Sequence, residues 1–145
     1  MNATHLVSEA SGLLITPISK RKCPARRDWE EQMIRESDGK QLMWDDSRYN
    51  KSKVGDTLLV WHHGVGVTCH EITGVKLPSK RLTTWSDNVG QGDRNVIEIG
   101  SAFSTIPWHL WLAIGGPSRC MGTNSVKTAR NNIIAILRAD YMDSA

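Results

Sequence analysis

The alternation of apolar and polar positions divides the chain into several short extended runs and a clear helical run near its end. Residues 57–63, TLLVWHH, are almost continuously apolar until the two histidines, which predicts a strand covered on both faces. A turn at 64–66 leads into residues 67–75. There Val67, Cys69, Glu71, Thr73 and Val75 alternate with Thr68, His70, Ile72 and Gly74, predicting the partner strand. Residues 12–18 read as a first strand closed by Pro17, and residues 94–100, built on Val96, Ile97 and Ile99, as a later one. Asp28 with Glu31 makes a capping box for a short helix through Arg35 whose inner face is Trp29, Met33 and Ile34. Asn124 or Ser125 caps a helix to about Arg138, with Val126, Ala129, Ile133, Ile136 and Leu137 on one face and Lys127, Arg130, Asn131 and Arg138 off it. Pro107 opens a tryptophan-rich segment through Ile114, a short helix or an irregular cover, which Gly115-Gly116-Pro117 breaks.

Strands and helices in this mixed order predict an α+β fold, a curved sheet or small β-barrel flanked by a few helices. A length of 145 residues without repeat or linker predicts one domain over residues 1–145.

Composition changes this picture in one respect. Six of the nine aromatic residues are Trp, against two Tyr and one Phe, and an indole suits a stacking surface as well as a core. The net charge of +3 permits a polyanionic partner. Basic residues gather at Lys20, Arg21, Lys22, Arg26 and Arg27, then Lys51 and Lys53, then Lys76, Lys80 and Arg81. Each cluster also suits an ordinary solvated face. Cys23, Cys69 and Cys120 are odd in number and irregular in spacing, which argues for a reducing compartment rather than a disulfide framework. With no apolar run near membrane-spanning length, the expectation is a soluble, intracellular protein, cytoplasmic or nuclear, with no membrane partner.

Candidate chemistry is thin. The loop from Gly116 to Ser125 lacks the spacing and the lysine of a phosphate-binding P-loop. His62, His63, Cys69 and His70 lack the paired spacing of a zinc site, and Cys69 beside His70 on a strand points its thiol away from the imidazole. No G-x-S-x-G elbow or carboxylate pair stands out. Neither a catalytic group, a metal nor a cofactor is expected, and the chain reads as a binder.

One stretch points further. Trp44-Asp45-Asp46-Ser47-Arg48-Tyr49-Asn50, then Val54-Gly55-Asp56, then a strand ending Trp61-His62-His63, resembles the EVE domain of the PUA-like superfamily, which is related to YTH and ASCH domains. The likeness continues through the strands at 67–75 and 94–99 to Arg119, with Tyr49 interrupting the arginine–asparagine pair and His63 replacing a small residue. What the resemblance implies is a pocket for an extruded, modified nucleobase in DNA or RNA, a substituted cytosine or a methylated adenine. Such a reader could serve a larger restriction or RNA-processing assembly.

Base–aromatic stacking, about 1–3 kcal/mol per base, is comparable with the few kcal/mol of extrusion, so aromatic faces are the first requirement. Trp44 and Trp61 are the expected platforms facing one cavity, with Trp85 and Trp108 in reserve. Asp45, Asn50 and His62 can read a base edge. Arg48, Lys51, Lys53 and Arg119 can meet phosphates. Arg48 can equally pair with Asp45 or Asp46, and each tryptophan can equally serve the core.

Two other readings stand beside this one. An ASCH-like nuclease or amidohydrolase acting on modified nucleosides would need a buried Lys–Thr–Glu group, with Lys20 or Lys22 and Glu71 as members. A protein-interaction module would dock its partner on the segment from Trp108 to Trp111.

Overall fold

The computed structural model describes residues 7, 12–17, 42–45, 52–77, 96–119 and 126–144, with backbone alone for 17, 42–45, 76–77, 96 and 141–144. Six strands run in chain order, β1 (Leu13–Pro17), β2 (Leu42–Asp45), β3 (Thr57–His62), β4 (Gly66–Leu77), β5 (Val96–Ile99) and β6 (Ser104–Pro107), followed by helices α1 (Trp108–Ala113) and α2 (Arg130–Ser144). The sheet is mixed and open, in the order β1-β3-β4-β5-β2, with β6 also paired to β4. The α+β expectation therefore holds, and among the described residues the sheet is open, with two helices, and not closed into a barrel. The expected helix at 28–35 lies outside the described residues.

β1 joins β3 in parallel, pairing Leu13 with Thr57 through Pro17 with Trp61, whereas β3 and β4 form an antiparallel hairpin from Thr57–Glu71 to His62–Gly66. All six residues of β3 are buried, as its apolar run predicts for a strand flanked on both sides. β4 is long enough to serve two sets of neighbours. Its first half meets β3 and β6, and its second half meets β5 across two register irregularities. Residues 96–107 run back along β4 as one interrupted strand, with Gly100 N–H donating to the Glu71 carbonyl and Phe103 N–H to that of Cys69.

The entrance to β3 is tied by one carboxylate. Asp56 Oδ1 accepts the N–H of Gly12 at 2.9 Å and Oδ2 accepts that of Lys53 at 3.0 Å. Gly55 takes φ +96°, which only glycine adopts without strain, and Thr57 N–H donates to the Gly12 carbonyl. The Val54-Gly55-Asp56 sequence thus both starts β3 and anchors β1 beside it.

Side chains alternate across the sheet. Leu13, Ile15, Leu59, Trp61, Val67, Cys69 and Ile106 form one face, covered by Trp111 of α1 and by Val126, Ala129, Ile133, Ile134 and Leu137 on or just before α2. The opposite face carries Leu14, Leu58, Val60, His62, Thr68, His70 and Ile72, all buried. On this second face His70 is held at both nitrogens. Nδ1 lies 2.9 Å from the Gly100 carbonyl, which can only accept, so Nδ1 carries the proton there, and Nε2 meets Thr68 Oγ1 at 2.9 Å.

α1 ends in a Schellman turn. Gly115, at φ +94°, donates its N–H to the Leu112 carbonyl and Gly116 donates to that of Trp111. α2 begins at Arg130, later than the expected cap at 124–125, because residues 127–129 form turns ahead of it. It also runs past Arg138 to Ser144, since no glycine or proline follows to stop it. No described helix is long and apolar enough to cross a membrane.

Candidate functional site

The Trp61-His62-His63 triplet separates in three directions. Trp61 sits on the helix-covered face, only 8% exposed, and its indole N–H donates to the Pro117 carbonyl at 3.2 Å. His62 points through the other face and is 2% exposed. His63 leaves the strand at the turn and is exposed. The expectation that Trp61 and His62 border one cavity is therefore corrected. Consecutive residues on a strand face opposite ways, and β3 stays regular to its last residue.

What gathers around Trp61 instead is His63 and Trp108. The ring centroids of Trp61 and His63 lie 5.4 Å apart, those of Trp61 and Trp108 5.5 Å, and those of His63 and Trp108 5.1 Å. Two features of the sequence bring Trp108 there. Pro107 ends β6 and makes Trp108 the first helical residue, and the Trp108 N–H donates to the Val65 carbonyl at 3.2 Å across the hairpin turn. Gly66 admits this close approach, since a Cβ there would lie 2.6 Å from the Ile106 carbonyl oxygen. The cluster runs from buried Trp61 through half-buried Trp108 to exposed His63, with Val65 42% exposed beside it.

The rings meet at 59° to 65°, so none of them covers another face to face. Arg119, exposed, follows two residues after Pro117, whose carbonyl backs Trp61. Lys53 is also exposed but precedes β3, whereas His63 follows it. One strand of this length, about 20 Å at some 3.3 Å per residue, separates them. Of the expected phosphate contacts, Lys53 thus lies at the end of β3 opposite His63.

Trp44 and Asp45 lie on β2, where their backbones pair with Ile97 and Val96, so this segment is a strand and not a loop. Their side chains, together with Arg48, Asn50, Lys51 and Trp85, lie outside the described residues. The sequence did not pair His63 with Trp108: His63 stood as a departure from the family pattern and a rejected zinc ligand, and Trp108 as a reserve platform. Gly64, which ends the strand, and Pro107, which starts the helix, are the signals that place them together.

Two reactive groups among the described residues, Cys69 and Ser104, are buried in structural roles. Cys69 is fully enclosed, and burial, with the Asp140 carboxylate adding to it, pushes its thiol far above the ordinary value of 9.0. It is therefore a poor nucleophile. Ser104, paired with Cys69 across β6 and β4, donates its hydroxyl proton to Asp140 of α2. Among the described residues no three His, Cys, Asp or Glu side chains converge as metal ligands. No family model, curated protein or solved structure matches the chain.

Proposed function

We propose that this chain is a nucleic-acid-binding module of PUA-like, EVE type that accommodates an extruded modified base, a substituted cytosine or a methylated adenine. The observation that carries this reading is the graded aromatic cluster of Trp61, Trp108 and His63 at the open end of β3. Its buried member fixes the platform, while the exposed imidazole and half-buried indole supply a face and an edge for a planar guest. Arg119 lies close in sequence to the carbonyl that holds Trp61, as a phosphate contact at the same end would require. Trp44 and Asp45, on the β2 strand, remain candidate contacts under this reading, as do Arg48, Asn50 and Trp85.

The test uses the accessible residues, because Trp61 belongs to the core. Fluorescence anisotropy would compare oligonucleotides with and without the modification, using His63→Ala and Trp108→Ala variants that keep the wild-type circular dichroism. Each should weaken binding of the modified oligonucleotide by about 1–3 kcal/mol, roughly 5- to 150-fold. Equal losses on unmodified strands would mean general stacking, and no loss would reject the cluster as the site.

A second reading, an ASCH-like hydrolase acting on modified nucleosides, is favoured by one pair. Thr57, fully buried, stands directly across from half-buried Glu71 in the β3–β4 ladder. Turnover of a modified nucleoside, abolished in Glu71→Gln, would establish it. The protein-interaction reading has less support. Trp111 is fully buried and gives its bulk to the core, leaving Leu112 as the large exposed apolar residue of α1.

A further inference from the structure

We propose that Trp108 and His63 read the edge of the guest as two adjacent donors, selecting a substituted cytosine over a methylated adenine, and that protonation of His63 sharpens the choice. The inference rests on the base-binding function proposed above and names the guest of that same cluster. Three tryptophans have described side chains. Trp61 and Trp111 both donate their indole N–H to the Pro117 carbonyl, at 3.2 and 2.9 Å. The Trp108 indole N–H is bonded to no group of the described residues and is not enclosed, so it is open to a guest. His63, exposed at the turn, likewise has both ring nitrogens open, and its ring centroid lies 5.1 Å from that of Trp108. The two open polar groups of the cluster therefore stand side by side.

The donor pattern decides which edge fits. An indole N–H can only donate, whereas a neutral imidazole offers one donor and one acceptor. An extruded base is read along its Watson–Crick edge. On cytosine the 2-carbonyl oxygen and N3 are neighbouring acceptors there, so they match two donors, and a methyl group on carbon 5 leaves both untouched. On adenine that edge has one acceptor, N1, beside the N6–H donor, and a single methyl on N6 leaves one N–H in place. With the Trp108 N–H on adenine N1, the N6–H needs an acceptor, which His63 supplies only while it is neutral.

Protonation makes His63 a donor at both nitrogens, which suits the cytosine acceptors and opposes the adenine N6–H. The imidazolium also gains from its two indole neighbours, whose centroids at 5.4 and 5.1 Å lie inside the reach of about 6 Å for a cation over a ring. The other titratable or charged groups on the described elements around it are few. His62 is buried through the opposite face of the sheet, α1 adds the exposed His109 next to Trp108, and the loop after α1 adds the exposed Arg119. The hairpin turn and β6 add none, and among the described residues these elements carry no carboxylate. A guest that prefers the charged form binds more tightly as pH falls through the imidazole range, roughly pH 8 to 5, by at most about tenfold per pH unit.

The experiment is anisotropy with two single-stranded probes of one sequence, carrying either one 5-methylcytosine or one N6-methyladenine, at about pH 5.5 and about pH 7.5. The wild-type chain should prefer the cytosine probe, and the preference should widen by about tenfold at the lower pH. Trp108→Phe keeps a ring and loses the N–H, and should lower the preference roughly five- to tenfold. His63→Phe should make it independent of pH, whereas His109→Gln should leave it as in wild type. If the variants do not fold, the ring resonances of His63 in the wild-type chain decide. Their pH midpoint should rise with the cytosine probe bound and stay in place with the adenine probe. A preference unaltered by pH and by both phenylalanine variants would overturn the donor pair and leave the base-binding reading standing. Binding of neither probe by the wild-type chain would overturn both.

Discussion

Trp61 and Trp111 donate their indole N–H groups to one acceptor, the carbonyl oxygen of Pro117, at 3.2 and 2.9 Å. The Schellman turn at the end of α1 directs that carbonyl inward, and the turn is tightly fitted, since a Cβ on Gly116 would overlap the Trp111 ring. The helix, the central strand and the loop are thus joined at one atom.

This junction predicts a hierarchy of stability losses. Trp111→Ala should cost about 3–5 kcal/mol, the usual cost of emptying a buried tryptophan site. Gly116→Ala should cost about 1–3 kcal/mol by overpacking. Urea titrations measure both, and a Gly116→Ala protein as stable as wild type would contradict the tight fit.

A second prediction concerns Gly12 and Asp56. A Cβ on Gly12 would lie 2.7 Å from Asp56 Oδ2, so Gly12→Ala must displace the carboxylate that holds β1 and the Lys53 turn. Asp56→Ala alone should cost about 1–3 kcal/mol through its two unmet backbone donors. In the double variant the clash has no partner, so the combined loss should fall short of the sum of the single losses. Strict additivity in a double-mutant cycle would show that the two sites act independently.

His70 gives a third. Its ring links Thr68 on β4 to Gly100, the residue after β5, from a fully buried position. His70→Leu fills similar space but leaves the Gly100 carbonyl and Thr68 hydroxyl to find other partners. The expected loss is about 1–3 kcal/mol. Accelerated amide exchange should be centred on residues 100–104. Exchange that quickens only at β1 would point to a different role.

Cys69 supplies the pH dependence. Its thiol is raised above 9.0 in the folded chain and ordinary in the unfolded one, so the unfolded state loses its proton first as pH rises. The contribution is therefore complete below pH 9 and declines above it, by up to about 1.4 kcal/mol per pH unit. Stability between pH 8 and 10.5 should fall less steeply in Cys69→Ala than in wild type. The native thiol should also resist alkylation until the protein unfolds. Rapid labelling of native Cys69 would contradict its enclosure.

Much of the sheet was legible in the sequence because its strands carry strong patterns. The unbroken apolar run of β3 announced a strand buried on both faces, and the alternation in β4 announced its partner. β6 escaped because Ser104–Pro107 is only four residues long and ends in proline, and its pairing depends on β4 offering its other edge. β2 escaped for a different reason. Trp44 and Asp45 looked like ligand contacts, and only the distant β5 makes their segment a strand.

At the candidate site, the sequence reading combined Trp61 and His62, adjacent residues that strand geometry sends to opposite faces. The His63–Trp108 contact joins residues 45 positions apart and depends on β6 bringing α1 back to the hairpin turn. No local pattern encodes that return.

The Asp56–Gly12 tie spans 44 positions, and this separation bears on the order in which the sheet assembles. The β3–β4 hairpin closes over a three-residue turn, so its pairing incurs little loop-closure entropy. β1 must return over the whole intervening segment to lie parallel to β3, and parallel pairing of distant segments forms slowly. Loop-closure cost therefore favours assembly that starts at the hairpin and adds β1 later, with the Asp56–Gly12 tie formed only once β1 has returned. By the same reasoning β1 is the strand expected to open first in the native protein, its amides exchanging ahead of those of β4.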